Sequence, residues 1–241
     1  MIGTIINIVA VLVGGLMGTL LGSRRPTKVR DTVMNGLGLV TVVLGISMAI
    51  QTKNLLIVMG SVLVGGVLGE WWRIQDGLEA AGRWLENRFG RPDDAAAGRS
   101  VTRAFVTASL VFCVGPLTVV GSLLDGLTGN YQPLAIKSLL DGFASLAFGA
   151  SLGPGVLFSA VTILVYQGGL SLAARLLGSD LAGVTAQTPA VIEMGATGGV
   201  LIIGIGLVLL DLKRIRLANF LPAIVIAPLV VMLLEKLGVA W

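Results

Sequence analysis

Long apolar stretches alternate with short polar or basic segments along almost the whole chain. The apolar core of a bilayer is about 30 Å thick, so a helix needs about 20 apolar residues to cross it. The pattern therefore predicts an all-α fold, a polytopic transmembrane helical bundle of about eight spans. The predicted spans are residues 2–22, 32–51, 54–72, 103–124, 134–152, 155–177, 189–210 and 217–235.

The longest polar segment separates the third predicted span from the fourth and divides the chain into three parts. Apolar residues recur at helical spacing through residues 73–90, which predicts an amphipathic helix on the cytoplasmic membrane surface. Pro92 and its polar neighbours end that helix and begin a flexible linker. The predicted parts are a first membrane part of three helices at 1–72, the cytoplasmic helix and linker at 73–102, and a second membrane part of about five helices at 103–241.

Basic residues are concentrated in alternate loops. Thirteen of the 17 Lys and Arg residues follow the first, third and seventh predicted spans. Because cytoplasmic loops carry an excess of Lys and Arg, these loops are predicted to face the cytoplasm and both termini to lie outside it. Met1 leads directly into an apolar run without a basic segment or a small-residue cleavage site, so residues 2–22 are interpreted as a span.

The composition narrows the function classes. Hydrophobic residues make up 55% of the chain and charged residues 12%, with a mean hydropathy of +0.93, which excludes a water-soluble domain. The chain has no histidine and one cysteine, so histidine-based metal, haem and catalytic sites and an internal disulfide are excluded. We expect no enzyme activity, metal or cofactor. The acidic and basic residues around the 73–102 segment balance, so no nucleic-acid partner is expected.

Seven polar residues lie inside predicted spans and are candidates for a pathway. An ionisable side chain at that depth costs about 2.5–3.5 kcal/mol on insertion scales, so such residues usually face protein or water. A spacing of four places Lys137 and Asp141 on one helix face, as either an ion or solute site or a buried structural pair. Glu193 is either part of that site or a cap for its own helix. The seven candidates are Asn7, Asn35, Lys137, Ser138, Asp141, Gln167 and Glu193.

Glycines recur in two patterns. Gly14 with Gly18, and Gly65 with Gly69, have the small-xxx-small spacing that joins helices within one chain or between two chains, so a homodimer is one expectation. Gly38 and Gly45 match Gly199 and Gly206 in spans that are predicted to run in opposite directions. That match is typical of an inverted repeat in transporters, although short glycine patterns also recur by chance.

Glycine and proline residues also mark expected helix breaks. Gly115-Pro116 predicts a kink in the fourth span, and Gln167-Gly168-Gly169 predicts one in the sixth. Residues 149–155 predict either the turn between the fifth and sixth spans or a break in a re-entrant hairpin.

Short strings from the first span to the last carry a family resemblance. They are residues 3–7 (GTIIN), 36–38 (GLG), 111–116 (VFCVGP), 137–142 (KSLLDG), 158–160 (FSA), 166–168 (YQG), 193–195 (EMG), 198–206 (GGVLIIGIG) and 219–223 (NFLPA). In this order the chain resembles the bacterial inner-membrane family called domain of unknown function 554. The resemblance implies a multi-pass protein of the bacterial inner membrane. It implies no catalytic residue or substrate, since the family is functionally uncharacterised.

The polar residues inside apolar, glycine-rich spans favour a small transporter or channel for an ion or small solute. In this hypothesis the seven candidates line the pathway, and the Lys137 cation attracts an anionic group or keeps Asp141 charged until a proton or ion displaces it. The alternative is a non-transporting membrane scaffold or regulator that docks a partner through residues 73–100.

Overall fold

The chain is all-α wherever the structure describes it. The computed structural model describes residues 1–22, 27–90, 100–177, 185 and 187–238. The helices in these ranges are α1 Ile2–Gly22, α2 Thr27–Ala49, α3 Leu55–Trp71, α4 Ile74–Phe89, α5 Val101–Cys113, α6 Pro116–Leu127, α7 Gln132–Leu152, α8 Ser159–Leu177, α9 Pro189–Leu209 and α10 Leu221–Lys236. Short 3-10 turns at Pro154–Phe158 and Leu217–Phe220 precede α8 and α10.

Six helical segments of the described chain are long and apolar enough to cross a membrane. They are Ile2–Gly22, Asp31–Ala49, Gln132–Leu152, Pro154–Leu176, Pro189–Leu209 and Leu217–Lys236. The number rises to eight if α3 with α4, and α5 with Leu117–Leu127, each count as one bent span. The predicted polytopic helical bundle is therefore confirmed, with six to eight spans. The linker predicted to begin around Pro92 lies largely outside the described residues.

The chain separates into two compact units, each assembled from distant parts of the sequence. Unit 1 comprises Met1–Gly36, Leu78–Cys113 and Leu117–Gly183, and unit 2 comprises Leu37–Gly77, Val114–Pro116 and Val184–Trp241. The three parts predicted from the sequence are defined by their position relative to a bilayer. The two units are defined by contacts within the chain, so they do not test that division. That division stays a prediction.

In unit 1 the ridge of small residues on α1 packs directly on the backbone of α7. A Cβ added at Gly18 would lie 2.9 Å from the backbone nitrogen of Ala150, and one added at Gly14 would lie 3.3 Å from the Cα of Gly142. Gly3, nearer the start of α1, meets Leu134 near the start of α7. The two helices therefore run parallel, and glycine permits the close approach.

In unit 2 the second ridge packs on the start of α10 and on the 3-10 turn that precedes it. A Cβ at Gly65 would lie 2.6 Å from the Cα of Ala223, and one at Gly69 would lie 2.8 Å from the Cα of Asn219. Both ridges thus have partners within the chain. The homodimer remains a prediction that these ridges no longer support.

The second glycine pattern forms a seam between α2 and α9 in unit 2. A Cβ added at Gly45 would lie 2.7 Å from the carbonyl oxygen of Gly199, and one at Gly206 would lie 3.0 Å from that of Gly38. The pairing order is antiparallel, so the four matched glycines face one another. An inverted repeat is a separate expectation and stays a prediction.

The expected helix breaks have different outcomes. The axes of α5 and of Leu117–Leu127 in α6 differ by 64°, at the place where Gly115-Pro116 predicts a kink. Residues 149–152 continue α7, which ends at Leu152, and the next residue is Gly153, whose φ of 98° favours glycine. A turn therefore joins α7 to the 3-10 turn before α8, rather than a break within residues 149–152. α8 continues through Gln167-Gly168-Gly169 without interruption.

Candidate functional site

An ion pair within α7 is the centre of the candidate site. Lys137 and Asp141 are one turn apart, and the Lys137 ammonium pairs with Oδ2 of Asp141. The two residues are only 6% and 8% exposed. Removing one member of a buried ion pair typically costs 3–5 kcal/mol, because the remaining charge lacks compensation. The pair therefore behaves as a unit.

Side chains from two other helices of unit 1 complete the site. Asn7 of α1 donates from Nδ2 to Asp141 Oδ2 at 3.0 Å and to Gln167 Oε1 at 2.9 Å. Gln167 of α8 donates from Nε2 to Thr4 Oγ1 at 3.2 Å. We call Thr4, Asn7, Lys137, Asp141 and Gln167 the polar cluster. It links α1, α7 and α8 through one continuous hydrogen-bonded chain.

The packing of α1 explains why Asn7 reaches Asp141. The glycine ridge on α1 brings the two parallel backbones into contact, and Asn7 lies two turns before Gly14 on that helix. Asn7 and Gln167 are fully buried, and a buried amide without partners would cost free energy. The cluster therefore compensates polar groups that lipid could not solvate.

Four of the seven predicted residues meet in the polar cluster, and three lie elsewhere. Ser138 donates from Oγ to the carbonyl oxygen of Leu134 at 2.6 Å, within its own helix. Asn35 is exposed on α2. Glu193 belongs to unit 2. Thr4 was not predicted, although its position three residues before Asn7 places both on one face of α1.

Glu193 holds the loop between α2 and α3. Its carboxylate is fully buried and accepts hydrogen bonds from Thr52 Oγ1 at 2.6 Å, from the Lys53 nitrogen at 2.7 Å and from the Asn54 nitrogen at 3.3 Å. Asn54 in turn caps α3 by accepting from the Leu56 nitrogen at 3.0 Å. Glu193 thus serves the N-terminus of α3, a place that favours a negative charge, rather than only its own helix.

A second polar network in unit 2 was not predicted from the sequence. Arg216 pairs with Asp76 and, at 2.6 Å, with Glu70. Asn219 donates to Glu70 at 2.5 Å and accepts from the Gln75 nitrogen at 2.7 Å. These contacts fix the corner between α3 and α4 to the 3-10 turn before α10. The three charged side chains are about half exposed, so their ion pairs contribute little stability.

The helical architecture, the apolar spans and the buried polar cluster define a polytopic α-helical membrane protein. A family model described as "Protein of unknown function (DUF554)" matches residues 2–232. The chain belongs to this family, which confirms the resemblance seen in the sequence strings.

Two curated relatives match almost the whole chain. The "Uncharacterized protein YqgA" of Escherichia coli (strain K12) is 30% identical over 227 residues, which are 94% of each chain. The "Uncharacterized membrane protein YdfK" of Bacillus subtilis (strain 168) is 28% identical over 242 residues, or 99% of each chain. No solved structure matches the chain significantly. The name of the second relative agrees with the membrane assignment.

Proposed function

We propose that this membrane protein moves a small ion or solute across the bilayer, and that the polar cluster is the site the ion or solute occupies on its way. One observation carries the proposal: Asn7 connects the Lys137–Asp141 pair to Gln167 on a third helix. An ion pair that only fixes helix register needs no such connection. Charged groups held among apolar helices are characteristic of transport paths.

The chemistry of the cluster suits exchange of partners. Lys137 and Asp141 neutralise one another in the arrangement described above, so neither charge binds an ion until the pair separates. An incoming ion can take the place of one member if the amides of Asn7 and Gln167 replace part of its hydration shell. The glycine contacts of α1 and α7 bring Asn7 close to Asp141, and hydrogen bonds to Asn7 and Thr4 hold Gln167 beside them. The site on Glu193 is structural in this proposal and lies outside the path.

A tracer assay in proteoliposomes tests the proposal. The purified full-length protein is reconstituted, and uptake of ²²Na⁺, ⁸⁶Rb⁺ and ³⁶Cl⁻ is followed, together with proton entry reported by internal pyranine. We expect protein-dependent flux of at least one probe, and at least a tenfold loss in Lys137→Ala and in Asp141→Asn. Wild-type flux in both variants, each shown to be folded and inserted, would refute the proposal.

A charge swap provides the matched control. Lys137→Asp combined with Asp141→Lys retains two opposite charges one turn apart, so a purely structural pair is restored. Transport requires the carboxylate and not the ammonium to meet Asn7, so flux stays low in the swapped protein. Full recovery of flux would show that the pair only stabilises α7.

Docking of a partner through residues 73–100 is the second candidate function. The outer face of α4 favours it, because Trp84 is 64% exposed. The inner face is occupied within unit 1: Gly82 packs on Thr102, and Glu86 accepts a hydrogen bond from Thr102 Oγ1 at 2.5 Å. Deleting residues 76–97 would therefore damage the fold as well as the docking face.

A photo-crosslinking experiment examines docking without that damage. A photoreactive amino acid replaces Trp84, and a control protein carries it at Trp71, which is more exposed at 77%. Docking predicts one crosslinked partner at position 84 that is absent at position 71, in a protein with no tracer flux. Identical patterns at the two positions would contradict docking through α4.

A further inference from the structure

The hydrogen bonds of Asn7 leave one acceptor without a donor. The Asn7 amide has two N–H groups, and its nitrogen donates to both Asp141 and Gln167. Its Oδ1 is buried and has no hydrogen-bond partner among the residues that the structure describes. The Asn7 amide therefore has an unused acceptor and no unused donor.

The orientation of that amide is fixed by its neighbours. Exchanging the oxygen and nitrogen of Asn7 would direct its oxygen at the Asp141 carboxylate, which only accepts hydrogen bonds. The nitrogen must therefore face Asp141, and Oδ1 must be the atom left over. A group that satisfies Oδ1 has to be a hydrogen-bond donor or a cation, because an anion would be repelled.

Oxygen atoms of three other side chains lie around the Asn7 amide, and those of Asp141 and Gln167 contact its nitrogen. Asp141 supplies a carboxylate, Asn7 and Gln167 supply amide oxygens, and Thr4 supplies a hydroxyl oxygen. Oxygen ligands of this kind suit hard cations. In the described parts of the chain no three His, Cys, Asp or Glu side chains lie close enough to hold a metal ion. One carboxylate balances a single positive charge, which favours a monovalent cation over Ca²⁺ or Mg²⁺.

We propose that the polar cluster is a binding site for a monovalent metal cation, Na⁺ or K⁺, and that the Lys137 ammonium occupies the Asp141 carboxylate of that site in the present arrangement. The inference names the substrate class of the proposed function and rests on it for its role in transport. Lys137, one helical turn from Asp141, competes with the cation for the Asp141 carboxylate. A cation that binds must displace Lys137 from Asp141, and the Asn7 amide must turn so that Oδ1 rather than Nδ2 faces the cation.

Direct binding to the full-length protein in detergent tests this inference apart from transport. Saturable binding of ²²Na⁺, and of ⁸⁶Rb⁺ as a probe for K⁺, is measured with choline chloride keeping the ionic strength constant. We expect at least tenfold tighter binding of one of the two in Lys137→Met than in the wild type, because the competitor is gone. We expect at least tenfold weaker binding in Asn7→Leu, which keeps the ion pair and so protects the fold.

Two further variants make the result specific. Lys137→Met combined with Asp141→Asn lacks both charges and should bind neither tracer. Ser145→Ala removes a buried hydrogen bond from Ser145 Oγ to the Val11 carbonyl oxygen, between the same two helices, and should bind like the wild type. Binding should also raise the thermal unfolding midpoint of Lys137→Met more in NaCl or KCl than in choline chloride.

Each outcome decides the inference. It is overturned if the wild type shows no saturable binding up to 0.5 M (about the upper limit of the assay), or if Asn7→Leu or the doubly neutral variant binds like its parent. In that case Oδ1 meets only water. Flux of an ion without this binding removes the inference and leaves the transport proposal standing. Binding without flux of any probe removes transport and leaves the cation site.

Discussion

Removing the Glu193 carboxylate should destabilise the protein strongly, although it lies outside the polar cluster. Glu193→Ala leaves the Thr52 hydroxyl and the Lys53 backbone N–H without their acceptor, whereas the Asn54 N–H keeps Thr52 Oγ1 at 3.2 Å. The loop between α2 and α3 would then lose its attachment to α9, and the N-terminus of α3 would lose a neighbouring negative charge.

The expected magnitude follows from the two hydrogen bonds whose donors lose their acceptor. A hydrogen bond to a charged group contributes about 1.5–3 kcal/mol. Lys53 is exposed and Thr52 and Asn54 are half-buried, so water replaces part of the loss and the lower end of that range applies. We expect Glu193→Ala to lower the free energy of unfolding by roughly 3–4 kcal/mol and Glu193→Gln, which keeps one oxygen acceptor, by about 1–2 kcal/mol.

Unfolding of the purified protein by SDS in mixed micelles provides the measurement. Glu235 is an exposed glutamate in α10, and Glu235→Ala is the matched control, with an expected change within about 0.5 kcal/mol. The reasoning fails if Glu193→Ala is no more harmful than Glu235→Ala. It also fails if the Gln variant is as unstable as the Ala variant, since the retained oxygen would then contribute nothing.

Three further predictions concern packing, the ion pair and orientation. Gly18→Ala should destabilise the protein by about 1–3 kcal/mol, because the added Cβ meets the α7 backbone. Gly60→Ala, whose added Cβ has no neighbouring atom within 4 Å, should stabilise it by about 0.5–1 kcal/mol. Equal shifts of the two variants in thermal unfolding would contradict the contact between α1 and α7. Lys137→Met alone should cost about 3–5 kcal/mol, and adding Asp141→Leu should recover most of it, as measured by a double-mutant cycle in SDS. Alkaline phosphatase fused after Gly238 should be active, because we predict that the C-terminal end lies outside the cytoplasm. The predicted orientation would be refuted if this fusion were inactive while a fusion in the loop after α2 was active.

The sequence predicts the helices well and their partners poorly. The apolar length required by a bilayer places the ends of α1, α7 and α9 within two residues of those observed. Helical spacing likewise predicts that Lys137 and Asp141 pair. Both results depend on local geometry, which a helix imposes whatever surrounds it.

The partners of polar residues depend on how distant helices pack, and the sequence does not express this locally. Asn7 and Asn35 both interrupt apolar stretches, yet the first is fully buried in the polar cluster and the second is exposed. Glu193 bonds to a loop 140 residues away in sequence at Lys53. A polar residue in a span marks a special position without identifying its neighbour.

The parallel contact of α1 with α7 sets a waiting period during biosynthesis. Asn7 leaves the ribosome long before its partner Gln167, which is 160 residues further along the chain. At about 5–20 residues per second, roughly 8–30 seconds pass before the second partner is synthesised. Until α7 supplies Asp141, only lipid, water or the insertion machinery can satisfy the amide of Asn7, and the bond to Gln167 forms later still. Completion of α8 therefore supplies the last hydrogen-bond partner of this first helix in the polar cluster.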